Sequence, residues 1–344
     1  MANQAAWIKE KQARVVLDDA ETPTPGEAQV LVKVEVIGFS PIESKVQKFG
    51  THPIPYPNIL GTSFAGTVVS VGPNVTALQP GDHIASIRDG KSIGDSRFGA
   101  YQKYALASVS TSSKLLPNTS LEGAATTILN LAAVTSALSI HLGLDRPPLS
   151  GTAEPKNKKV LIYGGSSSCG GLAIKYAATA GYTVVTTSSP RHRDFVVSLG
   201  PAHIIDHTLP AEQLEEEICA QGPYDHIFDT IGLAPVTNLL VQYLSSLGGG
   251  AYNTLIPLMG ANPVPDNVQP KFGPYSWSFE EEPYKYIARW FYEEYVPKGL
   301  QSGLIVPTRP QVVEGGLENV QHALDLMDQQ AVSGHKLIMN PWSE

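Results

Sequence analysis

Cysteine is scarce in this chain, whose 344 residues include only Cys169 and Cys219. Two thiols form at most one disulfide and cannot make a four-cysteine zinc site. Runs of about 18 apolar residues are also missing, so no segment is predicted to span a membrane. The N-terminal residues lack the apolar core of a secretory signal peptide. These absences predict a cytoplasmic protein that does not associate with membranes.

Positive charge is in deficit, with 24 Lys and Arg against 32 Asp and Glu and a formal net charge of −8. This balance argues against a general affinity for nucleic acid or anionic membranes, although it leaves room for a local basic pocket. Hydrophobic residues make up 42% of the chain, which is ample for a core. The length suggests about two domains.

Two kinds of pattern divide the chain. In the first third, short alternating runs such as residues 30–36 predict strands separated by Gly, Pro and Asn turns. From Val160 onward, apolar runs alternate with helical segments, which predicts a parallel sheet covered by helices on both faces. A last strand, Lys336–Met339, is expected to return to the N-terminal domain.

The stretch "VLIYGGSSSCGG" predicts a strand that enters a Gly/Ser turn and then a helix. Backbone N–H groups at a helix N-terminus suit a pyrophosphate, so the turn predicts a dinucleotide site. The strict G-x-G-x-x-G spacing is absent, and a plain turn is the alternative. The candidate cofactor-binding residues here are Gly164, Gly165, Ser166, Ser167, Ser168, Cys169 and Gly170.

The second strand of this region ends in "TTSSPRHR", where an NAD-binding protein usually carries an acid for the adenosine ribose. Hydroxyl and guanidinium groups suit a 2′-phosphate instead, which predicts NADPH rather than NADH. A solvated basic loop is the alternative. The candidate residues are Ser188, Ser189, Arg191 and Arg193, and the ends of the fourth and fifth strands add Asp229, Asn253 and Thr254.

Several stretches together resemble the medium-chain dehydrogenase/reductase superfamily: "GEAQVLVKVEVIGFSPIESK", "ILGTSFAGTVVSVGPNVTALQPGDHI", "GAYQKYALA", "LAAVTSA", the Gly/Ser turn and "SGHKLI". The resemblance implies an α/β fold with two domains. Residues 1–131 and 295–344 would form a discontinuous, β-rich GroES-like catalytic domain. Residues 132–294 would form a Rossmann domain with a doubly wound parallel sheet that binds NADPH.

The same resemblance argues against a metal. Zinc-dependent members carry Cys where this chain has Ser40, and a His-Glu pair where it has Thr62 and Ser63. The stretch "FSPIESK" is similar to the zinc-free branch of quinone and enoyl reductases, with Lys45 at the position of the family lysine. The Gly/Ser turn and the C-terminal region look closest to fungal trans-acting enoyl reductases, which serve polyketide synthases.

The resemblance therefore implies a reductase that delivers hydride from NADPH to the β-carbon of an α,β-unsaturated carbonyl. The substrate is either a free small molecule or a chain bound to a polyketide synthase carrier. The candidate catalytic residues are Lys45, Ser40 and Thr135, with Lys45 as the cation that stabilises the enolate or as an anchor for the ribose. The alternative is that Lys45 is a surface residue that forms an ion pair with Glu43. A quinone oxidoreductase and a non-catalytic NADPH-binding or structural protein are the rival functions, and the chain is expected to be a monomer or homodimer.

Overall fold

The computed structural model describes residues 2–258, 260, 262–273 and 275–343. The strands are β1 Asn3–Ile8, β2 Val16–Ala20, β3 Gln29–Gly38, β4 Asn58–Ile59, β5 Ser63–Val71, β6 His83–Ile87, β7 Tyr104–Ser108, β8 Ser112–Lys114, β9 Lys159–Tyr163, β10 Thr183–Ser188, β11 His203–Asp206, β12 His226–Asp229, β13 Gly250–Thr254, β14 Val268–Lys271, β15 Pro310–Val312 and β16 Lys336–Met339. The α-helices are α1 Pro41–Phe49, α2 Leu121–Thr135, α3 Ser168–Thr179, α4 Arg193–Ser198, α5 Ala211–Gln221, α6 Ala234–Ser246, α7 Lys285–Arg289, α8 Val296–Ser302 and α9 Val320–Asp328. Two π-helices, Ser136–His141 and Trp290–Tyr295, follow α2 and α7.

The first compact unit contains the residues up to Leu129, Glu280–Gly303 and the residues from Pro307 onward. It is β-rich, with a three-stranded sheet in the order β2-β1-β4 and a larger sheet in the order β15-β16-β3-β5-β6-β8, to which β7 adds by pairing with β3. Side chains from both sheets form the core of this unit. Ile8 belongs to the smaller sheet, and Val32, Ile37 and Phe64 belong to the larger one. Strand β16 pairs antiparallel with β3, which confirms the predicted return of the C-terminal strand.

The second unit contains Asn130–Phe279 and Leu304–Val306. Its six strands are all parallel and lie in the order β11-β10-β9-β12-β13-β14. Sequence order reverses between β9 and β12, which is the topological switch point of a doubly wound sheet. The prediction of an α/β protein with a GroES-like β-rich part and a Rossmann sheet is therefore confirmed.

The division between the units differs from the predicted domains mainly over residues 280–294, which lie in the first unit, and over Leu304–Val306, which lie in the second. The physical reason is local packing. Glu280 accepts a hydrogen bond from the Gly90 amide at 2.7 Å, and the π-helix Trp290–Tyr295 buries Phe291 and Tyr295. The other boundary falls after Leu129, within α2, close to the predicted residue 131.

One helical segment, Leu121–His141, is long and apolar enough to cross a membrane by length and composition. In its most apolar window, 67% of the residues are buried inside the protein. A helix that is apolar on all sides is a core helix when protein surrounds it. The burial therefore explains the hydropathy of this segment without a membrane.

Candidate functional site

The Gly/Ser turn joins β9 to α3 at the carboxyl edge of the parallel sheet, and its glycines are required by geometry. Gly164 has φ +87°, and a Cβ there would lie 2.5 Å from a side-chain atom of Ile231. A Cβ on Gly170 would lie 2.1 Å from the carbonyl oxygen of Gly164. These two positions perform the tasks of fingerprint glycines, a tight turn and close packing of helix on strand.

Serine residues organise the start of α3. The Ser167 hydroxyl caps the helix by accepting a hydrogen bond from the Gly170 amide at 2.9 Å, and it lies 2.9 Å from the Thr230 hydroxyl. Residues 166–169 are half-buried, and the Ser166 amide has no acceptor among the described residues. A 12-residue helix that begins here presents the positive end of its dipole. The turn thus brings the predicted phosphate-binding residues together, and their role stays a prediction.

The end of β10 places the predicted 2′-phosphate residues beside one another. Ser188 is buried and its hydroxyl donates to the Ser189 carbonyl at 3.1 Å. Arg191 and Arg193 are exposed, and Arg193 reaches the Ile204 carbonyl at 3.4 Å. Two flexible guanidinium groups at this strand end are available to an anionic ligand.

An acid that the sequence reasoning missed lies next to Ser188. The parallel register of β10 and β11 pairs Ser188 with Asp206. The Thr208 hydroxyl and amide donate to this carboxylate at 2.7 and 2.9 Å and lower the pKa of Asp206. The usual strand order of a doubly wound sheet, which puts the third strand beside the second, is the signal that could have found it.

The predicted residue Asp229 is wholly buried, and the fold uses both of its carboxylate oxygens. One oxygen accepts from the amides of Ile231 and Gly232 at 2.8 and 3.0 Å, and the other accepts from the Tyr252 hydroxyl at 2.5 Å. Burial raises the pKa of Asp229, and these hydrogen bonds oppose the shift. The Asp229 carboxylate therefore stabilises the turn that follows β12.

Asn253 and Thr254, at the end of β13, are buried as well. The Tyr275 hydroxyl lies 2.7 Å from the side-chain oxygen of Asn253 and 2.5 Å from the Thr254 carbonyl. The Asn253 amide group donates to the Ala137 carbonyl at 3.4 Å, in the π-helix. These contacts fix the backbone at the strand end, and side-chain contact with a cofactor stays a prediction.

Thr135 is the last residue of α2, and the π-helix begins directly after it. The hydroxyls of Thr135 and Ser136 are buried, and neither makes a hydrogen bond of good geometry with a described residue, although Thr135 lies near enough to the Tyr176 hydroxyl to oppose the rise that burial causes in the pKa of Tyr176. Buried hydroxyls are almost always bonded in proteins, and π-helices are frequent at functional sites. Contact of the Thr135 hydroxyl with a ligand stays a prediction.

A hydrogen-bond network surrounds Ser40 in the first unit. Glu43 is buried, with one oxygen accepting from the Ser40 amide at 2.6 Å and the Tyr101 hydroxyl at 2.8 Å. Its other oxygen accepts from the amide and hydroxyl of Thr62, the amide at 2.8 Å. Burial raises the pKa of Glu43, whereas the four donors favour the carboxylate. The network joins the start of α1 to the start of β5.

Lys45 lies one turn along α1 and is half-buried. It forms no hydrogen bond or ion pair with the residues that the structure describes, so the alternative of a Lys45–Glu43 surface pair is wrong. Glu43 is turned inward to its own four donors. Lys45 therefore has an ammonium group that is available to a ligand.

Comparison with known proteins identifies the chain's relatives. The alcohol dehydrogenase GroES-like domain model matches residues 26–117. Dehydrogenase azaJ of Aspergillus niger is 32% identical over 98% of this chain and 98% of its own length. The chain belongs to the medium-chain dehydrogenase/reductase superfamily.

This medium-chain dehydrogenase/reductase is also similar to a trans-enoyl reductase in sequence and to an NADPH complex in fold. Trans-enoyl reductase himH of Aspergillus japonicus is 28% identical over 98% of this chain and 97% of its own length. Mycobacterial Rv1454c complexed with NADPH has the same fold, with a TM-score of 0.76 and 21% identity over 98% of this chain and 100% of that one. The protein is thus an oxidoreductase of a nicotinamide-dependent family.

Ser40, Thr62 and Ser63, which the resemblance places at the positions of zinc ligands, are bonded to other protein groups. The buried ammonium of Lys336 donates to the Ser40 hydroxyl at 3.1 Å, a contact that sequence reasoning missed because 296 residues separate the two. Thr62 is bonded to Glu43, and the Ser63 hydroxyl lies 3.4 Å from the Gly38 carbonyl. Within the described ranges, no group of three His, Cys, Asp or Glu side chains has a geometry that could hold a metal.

Proposed function

We propose that this medium-chain dehydrogenase/reductase uses NADPH to reduce the carbon–carbon double bond of an α,β-unsaturated carbonyl. The observation that carries the proposal is the end-to-end similarity to a trans-enoyl reductase. The Ser40 hydroxyl, at a position where the resemblance places a zinc ligand, and the Lys336 ammonium that donates to it support the proposal. They suit a reaction that relies on protein donors rather than on a metal.

The residues of the Gly/Ser turn fit a nicotinamide dinucleotide. The amide of Ser166 and the N-terminus of α3 would hold the pyrophosphate, and Ser188, Ser189, Arg191 and Arg193 would hold the 2′-phosphate. When bound, NADPH supplies the hydride. Lys45 would stabilise negative charge on the substrate oxygen, and Thr135 would orient the reacting groups through its buried hydroxyl.

A screen of cofactor oxidation tests this function. Purified protein and NADPH are mixed in turn with enals, enones, quinones, free enoyl thioesters and carrier-bound enoyl chains. We expect turnover with enones or enoyl thioesters and formation of the saturated product. Faster turnover of the carrier-bound chain would support a trans-acting role beside a polyketide synthase. Turnover of quinones alone, or of no acceptor despite tight cofactor binding, would contradict the proposal.

NADPH is expected to bind at least tenfold more tightly than NADH. A charge-assisted hydrogen bond to the 2′-phosphate contributes about 1.5–3 kcal/mol, and about 1.4 kcal/mol is a factor of ten. Isothermal titration measures both affinities. Arg191→Ala should weaken NADPH binding and leave NADH binding unchanged, so NADH serves as the internal control. Equal affinity of the wild-type protein for the two cofactors would refute the assignment, and Asp206 beside Ser188 would then be the residue to examine.

Activity is expected to be independent of zinc. The Lys336 ammonium beside Ser40 would repel a divalent cation, and serine and threonine hydroxyls are poor zinc ligands. Metal analysis of purified protein should find much less than one zinc per chain, and a chelator should leave turnover unchanged. One tightly held zinc per chain, removed together with activity, would overturn this expectation.

A further inference from the structure

A buried lysine adjoins Ser40. Lys336, the first residue of β16, is 3% exposed, and its ammonium lies 3.1 Å from the hydroxyl of Ser40, which is 4% exposed. The pairing of β16 with β3 fixes this approach, because Ile338 pairs with Gly38 and the Phe39 amide donates to the Leu337 carbonyl at 3.0 Å. The sheet thus brings the two segments together, and the burial of both side chains restricts their movement.

The direction of this hydrogen bond is determined by chemistry. An ammonium group can only donate, so the Ser40 oxygen accepts and its own proton is left for another acceptor. Both backbone groups of Ser40 already form hydrogen bonds. Its amide donates to the Glu43 carboxylate at 2.6 Å, and its carbonyl accepts from the Glu43 amide at 3.0 Å. The hydroxyl is thus the one group of Ser40 that is held in place and still able to donate.

Reduction of an enoyl or enone substrate needs a proton as well as a hydride. Resting on the proposed function, we propose that Ser40 and Lys336 form the relay that supplies this proton. After hydride adds to the β-carbon, the Ser40 O–H bond breaks as a C–H bond forms at the α-carbon of the enolate. A proton of the Lys336 ammonium moves to the Ser40 oxygen, and solvent later restores the ammonium from the neutral amine. Lys336 acts through Ser40 and is a positioning residue, while Lys45 serves the enolate oxygen.

The stereochemistry of protonation tests the relay. An α-methyl enoyl thioester or enone is reduced in D2O, and the configuration and deuterium content at the α-carbon are determined by NMR. Wild-type protein should give one stereoisomer. Ser40→Ala and Lys336→Met should each lower turnover at least tenfold, with NADPH affinity unchanged, and should give a mixture because solvent protonates the enolate from either face. The double variant should be no slower than the slower single variant, since both belong to one relay.

Two matched variants serve as controls. Ser44→Ala removes a buried hydroxyl from the same helix, where it bonds the Pro41 carbonyl, and Lys103→Met removes an amine that donates to Gln4 at 2.8 Å. Both should keep the wild-type rate and a single stereoisomer. If Lys336→Met fails to fold, the configuration of the product formed by Ser40→Ala tests the relay by itself. A single stereoisomer at the wild-type rate from Ser40→Ala would overturn the relay, whereas a wild-type protein that reduces no unsaturated carbonyl would overturn the proposed function itself.

Discussion

Gly170→Ala is expected to weaken NADPH binding at least a hundredfold, whereas Gly171→Ala should leave it unchanged. The added Cβ at position 170 would meet the Gly164 carbonyl oxygen at 2.1 Å and the Gly164 carbonyl carbon at 2.8 Å. Both are backbone atoms of the same turn, so the clash is relieved only when α3 moves away from β9. That movement disperses the amide groups that are proposed to hold the pyrophosphate.

The neighbouring glycine provides the control because it has the same chemistry without the clash. A Cβ on Gly171 would come no nearer than 3.3 Å, to the end of the Leu199 side chain, which can adjust. Alanine is also the better helix former by about 1 kcal/mol, so Gly171→Ala should be neutral or slightly stabilising. Overpacking at Gly170 should instead lower the free energy of unfolding by about 1–3 kcal/mol.

Isothermal titration of NADPH and chemical denaturation of the two variants make the comparison. Loss of affinity in both variants, or in neither, would contradict the packing argument. Loss of stability in Gly170→Ala with wild-type affinity would mean that the turn is structural only, which is the alternative that the sequence leaves open.

Much of the second unit could be predicted from local sequence. The strands β9 and β10 follow from apolar runs ended by Gly and Ser, and parallel pairing follows from their alternation with helices. The start of α3 was less predictable, because Gly and Ser are poor helix formers. The helix begins at Ser168, inside the predicted Gly/Ser turn, because the Ser167 hydroxyl caps it.

Contacts between distant segments were the part of the candidate site that the sequence did not reveal. In the sequence, Glu43 lies two residues from Lys45 and resembles an ordinary surface acid. Only the fold brings Thr62 and Tyr101 to it, where their hydroxyls donate to its buried carboxylate. Lys336 lies in the closing strand and reaches Ser40 only through sheet pairing. Local patterns give strands and turns, but register decides which polar side chains meet.

Lys45→Ala is expected to lower the turnover number about a hundredfold, with NADPH affinity little changed. No metal is proposed to polarise the substrate carbonyl, so a protein cation should stabilise the enolate, and removal of one such donor commonly has an effect of this size. Lys45 is suited to the task because it is half-buried on α1 and has no ion-pair partner within the parts of the chain that the structure describes. An interaction that strengthens only in the transition state changes rate more than ground-state binding.

Lys48→Ala is the matched control for this experiment, since Lys48 lies three residues further along α1, is exposed and forms an ion pair with Asp328. It should keep the wild-type turnover number because an exposed ion pair contributes little. Titration of NADPH and single-turnover hydride transfer, with a substrate accepted in the screen, separate the roles of Lys45. Slower transfer at saturating NADPH supports stabilisation of the enolate. Weaker NADPH binding with normal transfer at saturation would make Lys45 an anchor of the cofactor ribose instead, and wild-type values of both would remove it from the site.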